Sequence, residues 1–87
     1  MITVLQISEE VRSILRTNGR LEVDAAQLSS ETDLFAAGMT SHANVNVLLA
    51  LEDSFGIEFP EELVDRRTFR SLATISEAVA GLLTDPV

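Results

Sequence analysis

Residues 33–60 read DLFAAGMTSHANVNVLLALEDSFGIEFP, and this stretch decides the fold. Gly38 allows a turn, and after it an apolar run of helical length extends to Gly56. At about 100° per residue, Val45, Leu48, Leu49, Leu51 and Phe55 fall on one broad side. His42, Asn46 and Asp53 line the other, and Val47 lies at the edge of the apolar arc. The spacing therefore predicts a helix from about Ser41 to Phe55 with the first set buried and the second open to partners. Ser41 is presented where loop gives way to helix.

Working outward, Val4, Ile7, Val11, Ile14 and Leu15 recur at steps of three and four from Thr3 to Thr17, which predicts a first amphipathic helix. Asn18-Gly19 closes it, since both residues tolerate the left-handed conformation. Residues 20–40 show no sustained period and form a long connection, pinned by Leu28, Leu34 and Phe35, with Asp33-Leu34-Phe35 as a short helical turn. Beyond Gly56, Ile57 and Phe59 look inward, and Pro60 opens a short helix that runs to about Asp65. Thr68 caps a last helix carrying Leu72, Ile75, Val79 and Leu82, which Asp85-Pro86 stops. No stretch alternates long enough to argue a strand. The predicted fold is all-α: a small bundle of three main helices plus one short helix, with a long loop after helix one, in a single domain over residues 1–87.

Fourteen Asp and Glu face six Arg and no Lys, for a net charge of -8. Such a surface repels nucleic acid and anionic membrane and favours basic protein partners. With no Cys there is no disulfide and no Cys-ligated metal, and any thiol chemistry is imported. The start lacks a targeting segment and no apolar run is long enough to span a bilayer, so a soluble, cytoplasmic protein is the expectation; a monomer is expected as well.

Catalytic constellations are scarce. The single His is adjacent to Ser41, but neighbours on a helix point about 100° apart, so His42 is poorly placed as its base. No DxDxDG loop, HExxH pair or His cluster is present, and no metal site is expected. Ser41 remains as an attachment point, because a phosphodiester there gains from free backbone N–H groups and the positive end of the helix dipole. On local geometry alone the plainer alternative stands beside it, that Thr40 or Ser41 is only a helix cap.

Asp33-Leu34-Phe35, Gly38-Met39, Ser41, Val45, Leu48, Ala50-Leu51-Glu52, Phe55-Gly56-Ile57, Phe59-Pro60, Leu63, Thr68 and Leu72 stand in one register that resembles the acyl carrier protein family. The resemblance is close over residues 31–83 and loose over the first helix; many matches in register give it specificity. It implies a non-catalytic carrier whose Ser41 receives 4'-phosphopantetheine from coenzyme A through a phosphopantetheinyl transferase. The terminal thiol of the arm then holds an acyl or aminoacyl group as a thioester. A loading ligase or synthetase and downstream acyl-transfer enzymes are the other implied partners.

Both flanks of the serine depart from the family pattern: Thr40 stands where Asp is usual and His42 where Leu or Met is usual. Ala43 and Asn46 replace residues that are acidic in typical fatty-acid carriers. Rim charges of this kind steer partner choice. One account makes Thr40, His42, Asn46 and Val47 a patch read by a dedicated loading enzyme, as in small stand-alone aminoacyl carrier proteins; the other is drift. Arg66, Arg67 and Arg70 form a late basic cluster, read first as a solvated charge run and second as a contact to the arm or to a partner's acid. The alternative to a carrier is an acidic helical interaction module that keeps the fold without the arm.

Overall fold

The computed structural model describes residues 3–21 and 27–84. The predicted Asp85-Pro86 stop and part of the first connection lie outside them. The described residues form three α-helices and one 3-10 turn, in the order α1 (Val4–Asn18), α2 (Ser41–Phe55), the turn Glu61–Leu63, and α3 (Leu72–Thr84). Among them there is no strand. The expected architecture of three main helices and one short one is the one observed.

Helix α1 starts where its polar residues allow. The Thr3 hydroxyl accepts the Gln6 N–H at 3.1 Å, and the Gln6 side chain accepts the Thr3 N–H at 2.7 Å. This reciprocal box satisfies two of the donors that a helix start leaves open. Ile7, Val11, Ile14 and Leu15 are buried as their period predicts. The end of α1 differs from expectation: Gly19 is right-handed, at φ -76°, and it is Arg20 that turns left-handed, at φ 51°. Glycine is needed at 19 for space, since a Cβ there would fall 2.7 Å from the Leu15 carbonyl oxygen.

Helix α2 turns a different face inward from the one its apolar residues suggest. Ala43, Val47 and Leu51 are its buried residues, whereas Val45 and Leu49 are 50% and 56% exposed. The physical reason is that apolar residues occur almost all round this helix, so their spacing does not select one arc. Small Ala43 at the head of an i, i+4, i+8 stripe lets α2 approach its neighbours closely, and Val47 and Leu51 then each contribute about 1.5–3 kcal/mol of burial. Gly56 ends the helix as expected, left-handed at φ 65°, with its N–H on the Glu52 carbonyl.

After α2 the chain is locked by Glu52, whose carboxylate accepts the Phe59 N–H at 2.8 Å and places that ring in the core. The short helix after Pro60 is a single 3-10 turn ending at Leu63, two residues before the expected Asp65. Helix α3 also starts later than predicted. Thr68 does not cap it; its N–H donates to Asp65 Oδ1 at 2.8 Å within the preceding turn. The cap is Ser71, whose hydroxyl accepts the Thr74 N–H at 3.2 Å while Thr74 Oγ1 accepts the Ser71 N–H at 3.0 Å. Phe69, fully buried against Phe59 with ring centroids 5.4 Å apart, precedes it.

Helix α1 packs on both α2 and α3 around one core that includes Leu15, Leu34, Met39, Leu51, Phe69, Ile75 and Val79. The long first connection is pinned to that core by Leu28 and Leu34, as expected, with Phe35 half-buried at the surface. Its backbone is tied as well: the Leu34 N–H donates to the Arg70 carbonyl at 2.7 Å, and the Ser30 carbonyl accepts the Ala73 N–H at 2.9 Å. Arg12 adds a side-chain bond to the Leu28 carbonyl at 2.9 Å.

Candidate functional site

The approach to Ser41 is built by one carboxylate and one glycine. Asp33 Oδ1 accepts the N–H groups of Phe35 and Ala36 at 2.9 and 3.2 Å, which winds residues 34–38 into the short turn predicted from sequence. Gly38, at φ 112°, then redirects the chain, and the Met39 N–H returns to the Leu34 carbonyl at 3.0 Å. Met39 is buried, so the next residue is delivered to the surface from a fixed anchor.

Thr40 is that residue, and it is the cap of α2: extended at φ -85° and ψ 167°, it accepts the Ala43 N–H on Oγ1 at 3.0 Å. The two serine readings therefore separate. Because Thr40 does the capping, the hydroxyl of Ser41 is left exposed, with no partner among the described residues. The N–H groups of Ser41 and His42, at the first two helical positions, have no carbonyl a turn earlier to bond. A phosphate joined to Ser41 Oγ thus meets two open donors and the positive end of a fifteen-residue helix. The residues present fit such a group.

Thr40→Ala removes the cap without touching Ser41. The expected loss is about 1 kcal/mol, a fall in melting temperature of about 4–8 °C by circular dichroism. An unchanged melt would mean that Ser41 itself takes over the cap.

Of the residues expected to form a partner patch, Thr40 and His42 are exposed beside Ser41 and Asn46 is half-buried. Val47 is not part of any such patch: its side chain is fully buried on the inner face of α2. Val45 and Leu49 take its place outside, on the same exposed face as Ser41 and Asp53. Sequence reasoning missed these two, and the signal was Ala43, a small residue at the position where helices approach.

The basic cluster is on the connection before α3. The Arg66 guanidinium stacks 4.1 Å over the Phe35 ring, and Arg70 Nε lies 3.7 Å from Asp33 Oδ2. Asp65 is held below its usual carboxylate range, mainly by its bond from the Thr68 backbone N–H and further by the charge of Arg67. Among the described residues no three His, Asp or Glu side chains converge to hold a metal, and no helix is long and apolar enough to cross a membrane.

Residues 5–79 match the family described as phosphopantetheine attachment site. The aminoacyl carrier protein of Agrobacterium fabrum (strain C58) is 38% identical over 73 residues, which is 84% of this chain and 88% of that protein. Among solved structures, a carrier protein from Agrobacterium tumefaciens in complex with an engineered Bradyrhizobium japonicum glycine:carrier protein ligase and AMP superposes with a TM-score of 0.82. It is 37% identical, covering 84% of this chain and 97% of that one. A solution structure of a protein from Agrobacterium tumefaciens gives a TM-score of 0.70 at 37% identity, covering 87% and 92% of the two chains. The exposed helix-start serine, the fold and these likenesses agree, and the chain belongs to the phosphopantetheine attachment family of carrier proteins.

Proposed function

We propose that this carrier is tethered through Ser41 and that its cargo is an amino acid. The observation that carries the first part is the division of labour at the start of α2, where Thr40 caps and Ser41 Oγ is left exposed. Ser41 Oγ attacks the coenzyme A phosphate that bears the pantetheine. An O–P bond forms, the pyrophosphate P–O bond breaks with loss of 3',5'-ADP, and the transferase takes the hydroxyl proton. Once bound, the arm supplies the thiol on which cargo is held as a thioester; the chain, without Cys, contributes none.

The amino-acid cargo rests on the likeness to the aminoacyl carrier and to the carrier bound by a glycine ligase. The surface around Ser41 supports it. Ala43 and Asn46 stand where typical fatty-acid carriers of the family are acidic, and Val45 and Leu49 present apolar area beside Thr40, His42 and Asn46, so this rim offers a partner little charge to read. A phosphopantetheinyl transferase, an amino acid ligase and downstream acyl-transfer enzymes are then its partners. The whole chain acts as one non-catalytic domain and a monomer, in the cytoplasm where coenzyme A and ATP are supplied.

The test is sequential. Intact-mass analysis after incubation with coenzyme A and a broad-range transferase is expected to show one added phosphopantetheine. The product, given ATP, glycine and the Bradyrhizobium japonicum glycine:carrier protein ligase, is expected to gain one glycine that hydroxylamine removes. Loading of the arm without glycine would keep the tether and reject the amino-acid cargo. A chain that never loads, yet holds a stable protein partner, would favour an armless interaction module.

A further inference from the structure

Three of the six arginines of this acidic chain fall within Arg66–Arg70. That segment is fixed to the turn leading into Ser41. The Arg70 carbonyl accepts the Leu34 N–H at 2.7 Å, and Arg66 lies on the Phe35 ring. Asp33, Arg66, Arg67 and Arg70 surround one open depression of about 380 Å³. Three cations against Asp33 and Asp65, the carboxylates they pair with, leave a local charge of +1 on a molecule whose total is -8.

The arginines are not consumed by their neighbours. The Asp33–Arg70 and Asp65–Arg67 pairs are 3.7 and 3.9 Å apart, longer than hydrogen bonds, and the side chains of Arg70 and Arg67 are 66% and 89% exposed. Asp33 and Asp65 already spend an oxygen on backbone N–H groups. Contact with the Phe35 ring, 4.1 Å from its centroid, restrains the Arg66 guanidinium, whose fork of N–H groups suits a carboxylate.

We propose that Arg66, Arg67 and Arg70 are a docking patch for acidic side chains of the amino acid ligase that charges the arm. This rests on the reading of the chain as an aminoacyl carrier. Charge complementarity at a defined place favours this partner. Acidic side chains of a partner are repelled by most of this molecule, and this patch, anchored to the turn before Ser41, is where that repulsion reverses. It gives register to a contact that the apolar Val45 and Leu49 leave free to slide.

The experiment compares wild type, Arg67→Glu, the double variant Arg66→Glu/Arg67→Glu and a control, Arg16→Glu on α1, which makes the same charge change at an exposed site. Each is converted to the holo-form and charged with glycine by the Bradyrhizobium japonicum ligase. The expected result is a KM for the carrier raised about threefold by Arg67→Glu and about tenfold by the double variant, with kcat unchanged and Arg16→Glu near wild type. Arg67 has only its loose ion pair, so its variant folds even if loss of the Phe35 stack disturbs the double one. Equal effects of Arg67→Glu and Arg16→Glu, or no effect of either, overturn the patch while leaving the carrier reading intact. A defect confined to the transfer from coenzyme A overturns it in favour of a site for the donor's phosphates. A wild-type holo-protein that takes no glycine removes the aminoacyl reading and the patch together.

Discussion

Ser41→Ala leaves the chain unmodified in a reaction where the wild type gains one phosphopantetheine. The effect is all-or-none because the variant removes the nucleophile and little else. Thr40 keeps its bond to the Ala43 N–H, so the helix remains capped, and Ala at the first helical position is a good helix former. Stability is expected to stay within about 0.5 kcal/mol of wild type, as for other exposed sites. Melting curves and intact-mass spectra of the same preparations separate the two effects. Ser29, Ser30 and Ser54 are also exposed, and they test the placement. A Ser41→Ala protein that still gains the mass would move the tether to one of them and leave the free hydroxyl at the start of α2 without a role.

The features that could be read from sequence are those set by neighbours along the chain. Gly56 after Phe55 needs only the left-handed freedom of glycine, and the turn at Asp33 needs only a short carboxylate two and three residues before open N–H groups. Ser41 belongs with them, since a loop meeting an apolar helical run is a local signal. What escaped was decided by contacts between distant segments. Ser71 caps α3 in place of Thr68 because Asp65 draws the Thr68 N–H into the preceding turn. Which side of α2 faces inward depends on how close α1 and the core come to Ala43, and an apolar count along the helix places Val45 and Val47 on the wrong sides. The basic cluster was visible as charge, whereas its stacking on Phe35 and its link to Leu34 join residues more than thirty positions apart.

Those long-range links make Phe69 a residue whose loss costs the fold heavily. It is among the largest fully buried side chains and packs against Phe59, which Glu52 holds in place. Phe69→Ala is expected to lower stability by about 3–5 kcal/mol, from lost burial and the cavity left behind. For a chain of 87 residues that is a large share of the total, since roughly 0.05–0.15 kcal/mol per residue is usual. The melting temperature should fall by about 12–40 °C, scaling from about 4–8 °C per kcal/mol in a domain of this size. The damage spreads toward the site in a definite order. Phe69 precedes Arg70, whose carbonyl holds Leu34, and Leu34 anchors Met39 through the turn that delivers Thr40 and Ser41. Loading at Ser41 should therefore fail at a temperature where α1 still retains helical signal, and recover on cooling. Phe69→Leu, which keeps most of the apolar volume, should cost about 1–2 kcal/mol and load normally at room temperature. Urea titrations of the three proteins beside loading assays at stepped temperatures decide it. A Phe69→Ala loss under about 1 kcal/mol would mean that the ring is not holding the connection to the core.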